Sequence, residues 1–312
     1  MVLTKKIFAK IFAFFVVSKI KKSYPNAAQI QINTLQSLIK KAQKTKFGIE
    51  HQFHKINSVE EYTDKVPIRD YEDIKKYIDE IKKGSKDVLW CGKPKYLAKT
   101  SGTTSGVKYI PITNESMPNH ILSSRNALLF YVYETGETSF LNGKTIFLQG
   151  SPVLDEINGI LVGRLSGIVA HHIPPYLRKN NLPSIKTNSI EDWEEKVNEI
   201  CKETINENMT TIGGIPSWVQ MYFEVLLKKS NKKNITKLFK GLSLFVYGGV
   251  NFLPYEKIFN KLLGKKINTI EYYPASEGFF AYQNSQKDKS LLLQYNSGIF
   301  YEFIKTNEFE SE

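Results

Sequence analysis

The sequence predicts an α/β fold, in which mostly parallel sheets are flanked by helices and preceded by a helical N-terminal segment. Residues 1–95 carry apolar residues at helical spacing, and no run among them is typical of a strand. From residue 96 onward, short apolar runs alternate with helical segments, the pattern of a sheet covered on both faces. With 312 residues, 41% of them hydrophobic, the chain can form two domains or one large unit. This composition excludes a disordered chain, a collagen and a multi-pass membrane protein.

Charge and cysteine content limit the possible partners and the location of the protein. The formal net charge is +12, and residues 1–100 hold 21 of the 43 basic but only 10 of the 31 acidic residues. This excess fits either a surface for nucleic acid or anionic lipid, or a solvated lysine-rich face. We favour the solvated face and expect no nucleic-acid partner, because no aromatic stacking motif accompanies the lysines. Cys91 and Cys201 stand in unrelated contexts, which predicts no disulfide framework and a reducing, cytoplasmic location.

The N-terminal stretch Met1–Lys22 superficially resembles a signal peptide. Its longest uncharged run, Ile11 to Ser18, has eight residues, far fewer than the ~20 of a spanning helix. No small-residue cleavage site follows it. We therefore expect an amphipathic helix that packs on the protein body, without stable membrane insertion. Peripheral contact with a membrane is the alternative.

The remaining helices and strands are predicted from the spacing of apolar residues and from glycine, proline and capping residues at their ends. Helices are predicted over 30–42, closed by Phe47-Gly48, and over 70–83, ended by Gly84. Further helices are expected from a cap at Asn114, from a variant capping box at Ser189, from Pro216, and over 255–263 with Gly264 at its end. Strands are predicted over 96–99, 109–113, 145–149, 159–162, 210–213, 242–247 and 266–273, followed by a hairpin of 291–295 with 299–304.

The strongest chemical signal is the stretch KTSGTTSGVKYIPIT, residues 99–113. Its loop consists of residues with a hydroxyl or no side chain, whose N–H and O–H groups can close around phosphate oxygens. It is not a Walker loop, because the glycine spacing differs and a strand rather than a helix follows. A plain polar hairpin is the alternative. The predicted phosphate-binding residues are Thr100, Ser101, Gly102, Thr103, Thr104, Ser105, Gly106 and Lys108.

Three further motifs follow this loop: GGIPSW at 213–218, YGGV at 247–250 and YYPASEG at 272–278. In this order, from about residue 60 to the chain end, the motifs resemble the adenylate-forming superfamily of acyl-CoA synthetases and luciferase. More narrowly, they resemble the bacterial branch of the acyl-acid amido synthetases of the auxin-responsive promoter family. The resemblance implies the N-terminal large domain of that fold. Residues 1–95 would be its helical segment and 96–312 its nucleotide-binding core, incomplete at the C-terminus and without the small lid domain.

The resemblance also implies roles for residues outside the loop. Adenine and AMP would be bordered by residues that follow two strand ends: Gly248, Gly249, Val250, Tyr273 and Ser276. Glu277 would hold Mg²⁺, which prefers one or two carboxylates together with substrate phosphates; a solvent-exposed glutamate after a turn is the alternative. Trp218 and Arg125 would lie near the acyl substrate, although a core tryptophan and a solvated arginine are the alternatives. No catalytic residue is assigned.

Two other arrangements carry no prediction of a site. The adjacent His171 and His172 have no third ligand at zinc spacing. Ser101 with His120 lacks both the nucleophile-elbow motif and an acidic partner of a hydrolase.

The reaction implied is ATP-dependent activation of a small carboxylic acid as an acyl-adenylate, followed by amide formation with an amino acid. ATP and Mg²⁺ are the expected cofactors. Family members continue well beyond residue 312, with an aspartate for the ribose and a lid domain whose lysine assists adenylation, so we expect a truncated form or a fragment. A non-catalytic nucleotide-binding module and a basic nucleic-acid-binding protein remain alternatives. The oligomeric state is not predicted.

Overall fold

The computed structural model of the chain describes residues 2–101, 106–174 and 178–309. Helices and strands alternate after residue 95, whereas the described residues before it form helices and no strand. The helices are α1 (Val2–Lys22), α2 (Ala27–Ala42), α3 (Lys46–Glu50), α4 (Val59–Lys65), α5 (Tyr71–Lys82), α6 (Met117–Thr135), α7 (Leu165–Ala170), α8 (Ile185–Asn188), α9 (Trp193–Thr204), α10 (Pro216–Ser230), α11 (Ile235–Leu238), α12 (Leu253–Leu263) and α13 (Thr306–Phe309). The strands are β1 (Tyr96–Ser101), β2 (Val107–Ile112), β3 (Lys144–Leu148), β4 (Asp155–Ile157), β5 (Ile160–Gly163), β6 (Asn181–Leu182), β7 (Met209–Gly214), β8 (Leu244–Gly248), β9 (Asn268–Pro274), β10 (Phe279–Gln283) and β11 (Leu291–Leu293).

The larger sheet has the strand order β11-β10-β9-β8-β7-β3-β6 within the described ranges. Strands β9, β8, β7, β3 and β6 run parallel, while β10 and β11 extend one edge antiparallel. Parallel neighbours place their carboxyl ends at one edge of the sheet, where ligands bind in open α/β folds. The predicted α/β class, with a mostly parallel sheet, is confirmed.

Both faces of this sheet are buried, and β8 shows how. Phe245 and Tyr247 point into a core formed with α9, α10, α11 and α12. Leu244 and Val246 point the other way, into a core shared with α6 and α1. Alternation of side chains along a strand therefore serves two cores at once, which explains the uninterrupted apolar run.

The smaller sheet has the order β2-β1-β5-β4 and is mixed rather than mostly parallel. Its β1 runs antiparallel to β2 and parallel to β5. Leu97 packs with α5 on one face, whereas Tyr96 and Ala98 pack with Met117 of α6 and Ile168 of α7 on the other. Helix α6 thus contributes to the cores of both sheets.

Helix α1 packs on the body, as predicted, because Ala13 and Val17 are fully buried in the core shared with α6. The prediction that it is amphipathic is wrong. Its opposite side is also apolar, with Phe8 69% and Phe15 65% exposed. Across the described residues we find no helix with the length and apolar character needed to cross a bilayer.

The predicted hairpin of 291–295 with 299–304 is wrong. Strand β11 pairs with β10, whose sequence FFAYQ was not recognised as a strand. Residues 295–301 are held instead by Gln31 of α2. Its side-chain amide donates to the carbonyls of Tyr295 (2.6 Å) and Ile299 (3.0 Å) and accepts from the Tyr301 N–H (2.9 Å). Strand pairing is decided by which edge is available in space, and a local turn signal does not report it.

Three predicted helix boundaries also differ. Phe47 and Gly48 do not close α2 but lie within α3, where a Cβ at Gly48 would approach the Ala42 carbonyl oxygen to 2.1 Å. Asn114 does not cap α6, because Thr113 and Ser116 exchange hydrogen bonds before the helix starts. Ser189 is not the cap of α9 either. Asp192 is, since its Oδ1 accepts from the Glu195 N–H at 2.7 Å.

The position of this cap is testable. Asp192→Ala removes the acceptor of an N-terminal N–H group and should lower the free energy of unfolding by about 1 kcal/mol. Ser189→Ala, the matched control at the cap suggested by sequence, should change it by clearly less. Urea denaturation of both variants measures the difference, and a larger loss for Ser189→Ala would contradict the assignment.

Candidate functional site

Glycines mark the carboxyl ends of β7 and β8, and a glycine-containing turn follows β9. Gly213-Gly214 ends β7, Gly248 ends β8 and is followed by Gly249, and the turn from Ala275 to Gly278 follows the last residue of β9. Because β7, β8 and β9 are parallel neighbours, their turns lie along one edge of the sheet. The motifs singled out in the sequence therefore meet at the edge where ligand sites form in such folds.

The turn after β8 needs both of its glycines, for different reasons. A Cβ at Gly248 would lie 2.5 Å from the Tyr272 carbonyl oxygen of the neighbouring strand. Gly249 has φ +83°, a left-handed conformation, although nothing lies within 4 Å of its Cβ position. Together they bring the ends of β8 and β9 close and leave open space beside the second glycine. A flat ligand can approach the backbone there.

The turn after β9 is held by a side chain of α6. Ala275 and Gly278 exchange backbone hydrogen bonds across the turn, of 2.9 Å and 3.3 Å. The buried Asn119 accepts from the Phe279 N–H at 2.6 Å and donates to the Phe279 carbonyl and to Ser297 Oγ. Hydrogen bonds to α6 thus hold the backbone just after Glu277, whose side chain is exposed.

A groove of about 830 Å³ begins at these strand ends and continues along β9 and α12. Gly249, Val250 and Tyr273, all predicted to border a nucleotide, line it together with Pro274. Gly248, Ser276 and Glu277 are not among its lining residues. The structure thus brings three of the predicted residues to one cavity and places the others on the adjoining turns.

Two tyrosines support the floor of this region as neutral donors. The Tyr247 hydroxyl donates to Glu271 Oε2 at 3.1 Å, and burial, reinforced by that carboxylate, raises the pKa of Tyr247. The Tyr272 hydroxyl donates to the Ser124 carbonyl of α6 at 2.9 Å, and burial raises the pKa of Tyr272 as well. Both groups keep their protons through the physiological range, so they can orient neighbouring acceptors.

The predicted phosphate loop connects β1 and β2, which pair as an antiparallel hairpin with Thr100 opposite Lys108. Gly102, Thr103, Thr104 and Ser105 lie outside the described residues, as does the side chain of Ser101. Gly106 has φ +79°, so a side chain there would strain the backbone. The Lys108 ammonium lies 5.1 Å from the centre of the Tyr71 ring. None of the hairpin residues described here lines the groove.

The two residues predicted to be near an acyl substrate have other neighbours. Trp218 packs against Trp193 with ring centres 5.2 Å apart and contributes to the core of the large sheet. Arg125 is exposed on α6, with its guanidinium 5.7 Å from the Phe12 ring and hydrogen-bonded to Asn126. Neither lines the groove.

The histidines of the sequence have separate surroundings. His171 Nε2 bonds to the Pro152 carbonyl oxygen, whereas His172 Nε2 bonds to the Tyr96 hydroxyl. His120 is buried in α6, and its Nδ1 has no hydrogen-bond partner among the described residues. Burial alone lowers the pKa of His120 to about 4.

Sequence reasoning missed two residues of this region, Asn119 and Glu271. An asparagine inside a helix is one available signal, since its amide usually serves better at caps and turns. Glu271 interrupts the apolar run of β9 and could have been noticed as a carboxylate next to the strand end. Their partners, Phe279 and Tyr247, are set by tertiary contacts.

The sequence and the fold are similar to those of known proteins. A profile of the GH3 family N-terminal domain matches residues 16–189. Over 117 residues the chain is 35% identical to the indole-3-acetic acid-amido synthetase GH3.15 of Arabidopsis thaliana. The aligned stretch covers 36% of this chain and 19% of that protein. The structure of the AtGH3.15 acyl acid amido synthetase in complex with 2,4-DB matches 90% of the chain, with a TM-score of 0.73 and 16% identity.

A more distant match is an open conformation of 2-hydroxyisobutyryl-CoA ligase in complex with 2-HIB-AMP and CoA, with a TM-score of 0.51, 12% identity and 84% of the chain covered. The chain spans 59% of the solved amido synthetase and 57% of the ligase. It has the fold of the N-terminal part of an adenylate-forming enzyme, which confirms the fold predicted from the motifs.

The buried His120 predicts a specific dependence of stability on pH. An unfolded histidine titrates near ~6.5, so the stability that depends on neutral His120 is present above that pH and is lost as the pH falls towards about 4. Between pH 7 and 5 the protein should lose about 1–2 kcal/mol more of its free energy of unfolding than the His120→Leu variant. Urea denaturation at both values measures this, with His54→Leu, an exposed histidine, as control. Equal losses in the protein and the His120 variant would contradict the prediction.

Proposed function

The chain belongs to the GH3 family, and on this premise we propose that it activates a small carboxylic acid with ATP and joins it to an amino acid. In the first step, an oxygen of the acid attacks the α-phosphorus of ATP. A bond to that phosphorus forms, the bond to the departing pyrophosphate breaks, and an acyl-adenylate results. In the second step, an amine attacks the acyl carbon and AMP leaves.

One observation carries the proposal: the groove that opens where β8 and β9 end. Gly249 and Val250 border it from one strand, Tyr273 and Pro274 from the next, and Gly248 allows the two backbones to approach. These are four of the positions that the motifs YGGV and YYPASEG supply. We assign the adenosine part of ATP to this end of the groove, and Gly248 and Ser276 to its margins. The far end of the groove, along α12, is not assigned.

The hairpin of β1 and β2 is the proposed phosphate holder. Its loop supplies backbone N–H groups and hydroxyls from Thr100 to Gly106, and Lys108 adds a positive charge. Reaction by in-line displacement needs alignment and neutralisation of developing charge more than covalent help from the protein. The proposal therefore requires the loop to reach the phosphates when ATP is bound.

The residues present suit Mg²⁺. Among the described residues there is no group of three or more potential ligands that could hold a metal ion by themselves. Mg²⁺ typically takes one or two protein carboxylates and completes its shell with phosphates and water, and the exposed Glu277 offers one such carboxylate on a fixed turn. When bound, the ion would supply neutralisation of phosphate charge.

The acceptor and the acid are assigned by class only. An amino acid acceptor is supported by the amido synthetase, the closer of the two folds compared, rather than by the CoA ligase. Trp218 and Arg125 remain proposals for contacts with the acid, to be judged in the ligand-bound state. The free Cys91 and Cys201 support our proposal of a cytoplasmic location.

The metal role of Glu277 is tested by binding. Glu277→Gln keeps shape and removes charge, so affinity for ATP·Mg²⁺ should fall about tenfold while affinity for metal-free ATP stays nearly constant. Glu256→Gln, a groove-lining carboxylate on α12, is the control and should leave the difference between the two forms unchanged. Isothermal titration measures both affinities. An equal loss for both forms would discard the metal role.

The phosphate role of the hairpin is tested by two lysines in similar surroundings. Lys108 lies over the Tyr71 ring, and Lys82 lies 4.6 Å from the Tyr109 ring on the same hairpin. Lys108→Ala should weaken ATP binding by about tenfold, since it removes a charge next to the phosphates, whereas Lys82→Ala should not. Titration with ATP and with duplex DNA distinguishes a nucleotide-binding protein from a nucleic-acid-binding protein. Tight DNA binding without ATP binding would favour the basic nucleic-acid-binding alternative and overturn the proposal.

A further inference from the structure

The face of α1 that points away from the protein carries large apolar side chains. At 100° per residue, Phe8, Ile11 and Phe15 fall opposite the buried Ala13 and Val17, and Ile7 lies at the edge of the same face. Their exposed fractions are 52%, 69%, 49% and 65%. A helix that is apolar all round is normally buried on all sides, whereas this one has only its inner side covered in the described structure.

Positive charge borders this apolar face. Helix α1 contains no acidic residue and six lysines: Lys5, Lys6, Lys10, Lys19, Lys21 and Lys22. At 100° per residue, Lys19 and Lys22 fall on the outer side and Lys5 at its edge, whereas the other three fall on the side of Ala13 and Val17. Two aromatic neighbours extend the face at its flanks. Phe14 stacks on Tyr133 of α6, and Phe12 lies under the Arg125 guanidinium, so both are partly engaged. Phe8 and Phe15 project furthest into solvent.

We propose that this outer face of α1 docks onto the surface of an anionic lipid bilayer. The apolar side chains would enter the boundary between headgroups and acyl chains, and Lys5, Lys19 and Lys22 would meet the headgroup charge. Because the inner face of α1 stays packed on α6, the helix lies along the membrane and the protein body takes the place of its polar face. Such an attachment is reversible and weakens with salt.

The charge pattern selects lipid over the other candidates. A second copy docking through the same face would bring the lysines of this face, Lys19 and Lys22 with Lys5 at the edge, against those of the other helix, with no acidic residue in either helix to compensate. Nucleic acid would satisfy the lysines and leave Ile7, Phe8 and Ile11 exposed. An anionic bilayer is complementary to both components at once.

The test is flotation of the 312-residue chain with lipid vesicles. Vesicles of phosphatidylcholine containing about one third phosphatidylglycerol should carry the protein, and phosphatidylcholine alone should carry much less. The double variant Phe8→Ser/Phe15→Ser should lower the partition coefficient by at least about tenfold. Ile49→Ser/Ile185→Ser is the matched control, since these side chains are 63% and 67% exposed elsewhere, and it should stay within about twofold of the unaltered chain.

A second variant separates the electrostatic attraction from the insertion of apolar side chains. Lys19→Glu/Lys22→Glu should reduce binding to the anionic vesicles and leave the small binding to neutral ones unchanged. The proposal is overturned if the unaltered chain does not float with anionic vesicles, or if Phe8→Ser/Phe15→Ser binds as well as the control. It is also overturned if light scattering reveals a dimer that this variant dissociates, or if the chain binds duplex DNA in preference to the vesicles. Melting curves confirm that each variant is folded.

Discussion

The burial of both faces of the large sheet is the constraint on which the rest of the structure depends. Strand β8 sends Phe245 and Tyr247 into one core and Leu244 and Val246 into the other, so its side chains are committed to packing. The backbone beyond the strand ends is free of this constraint. The turns after β8 and β9 lie in this region, and the groove begins there. Stability of the sheet and location of the candidate site have the same origin.

Much of this was predictable from the sequence because it is local. The run LSLFVY reads as a strand buried on both faces, and Gly248-Gly249 marks its end, since glycine is required where strands crowd or the backbone turns left-handed. Gly264 at the end of α12 and Pro216 at the start of α10 follow the same logic. The ordered motifs then pointed to the fold and to Gly249, Val250 and Tyr273, which share one groove.

The remainder could not be predicted because its causes lie far away in the sequence. Strand β11 pairs with β10 rather than with the next segment, which Gln31 of α2 has already engaged. Gly48 is required by the approach of Ala42, and Asn119 is fixed by Phe279, 160 residues further on. Trp218 and Arg125 illustrate the same point, since their neighbours Trp193 and Phe12 are known only once the helices are packed. The periodicity of apolar residues predicts which face of a helix or strand is buried but not which residues that face contacts.

Helix α6 contacts both helix α1 and the backbone that follows Glu277. Asn119 near its first turn holds the backbone after Glu277, while Ala127 and Phe130 further along pack with Ala13 and Val17 of α1. Its 19 residues make a stiff rod of roughly 28 Å. One helix therefore contacts both α1, which carries the exposed apolar face, and the backbone after Glu277 at the strand ends. A substitution on the buried side of α6 would disturb both contacts at once.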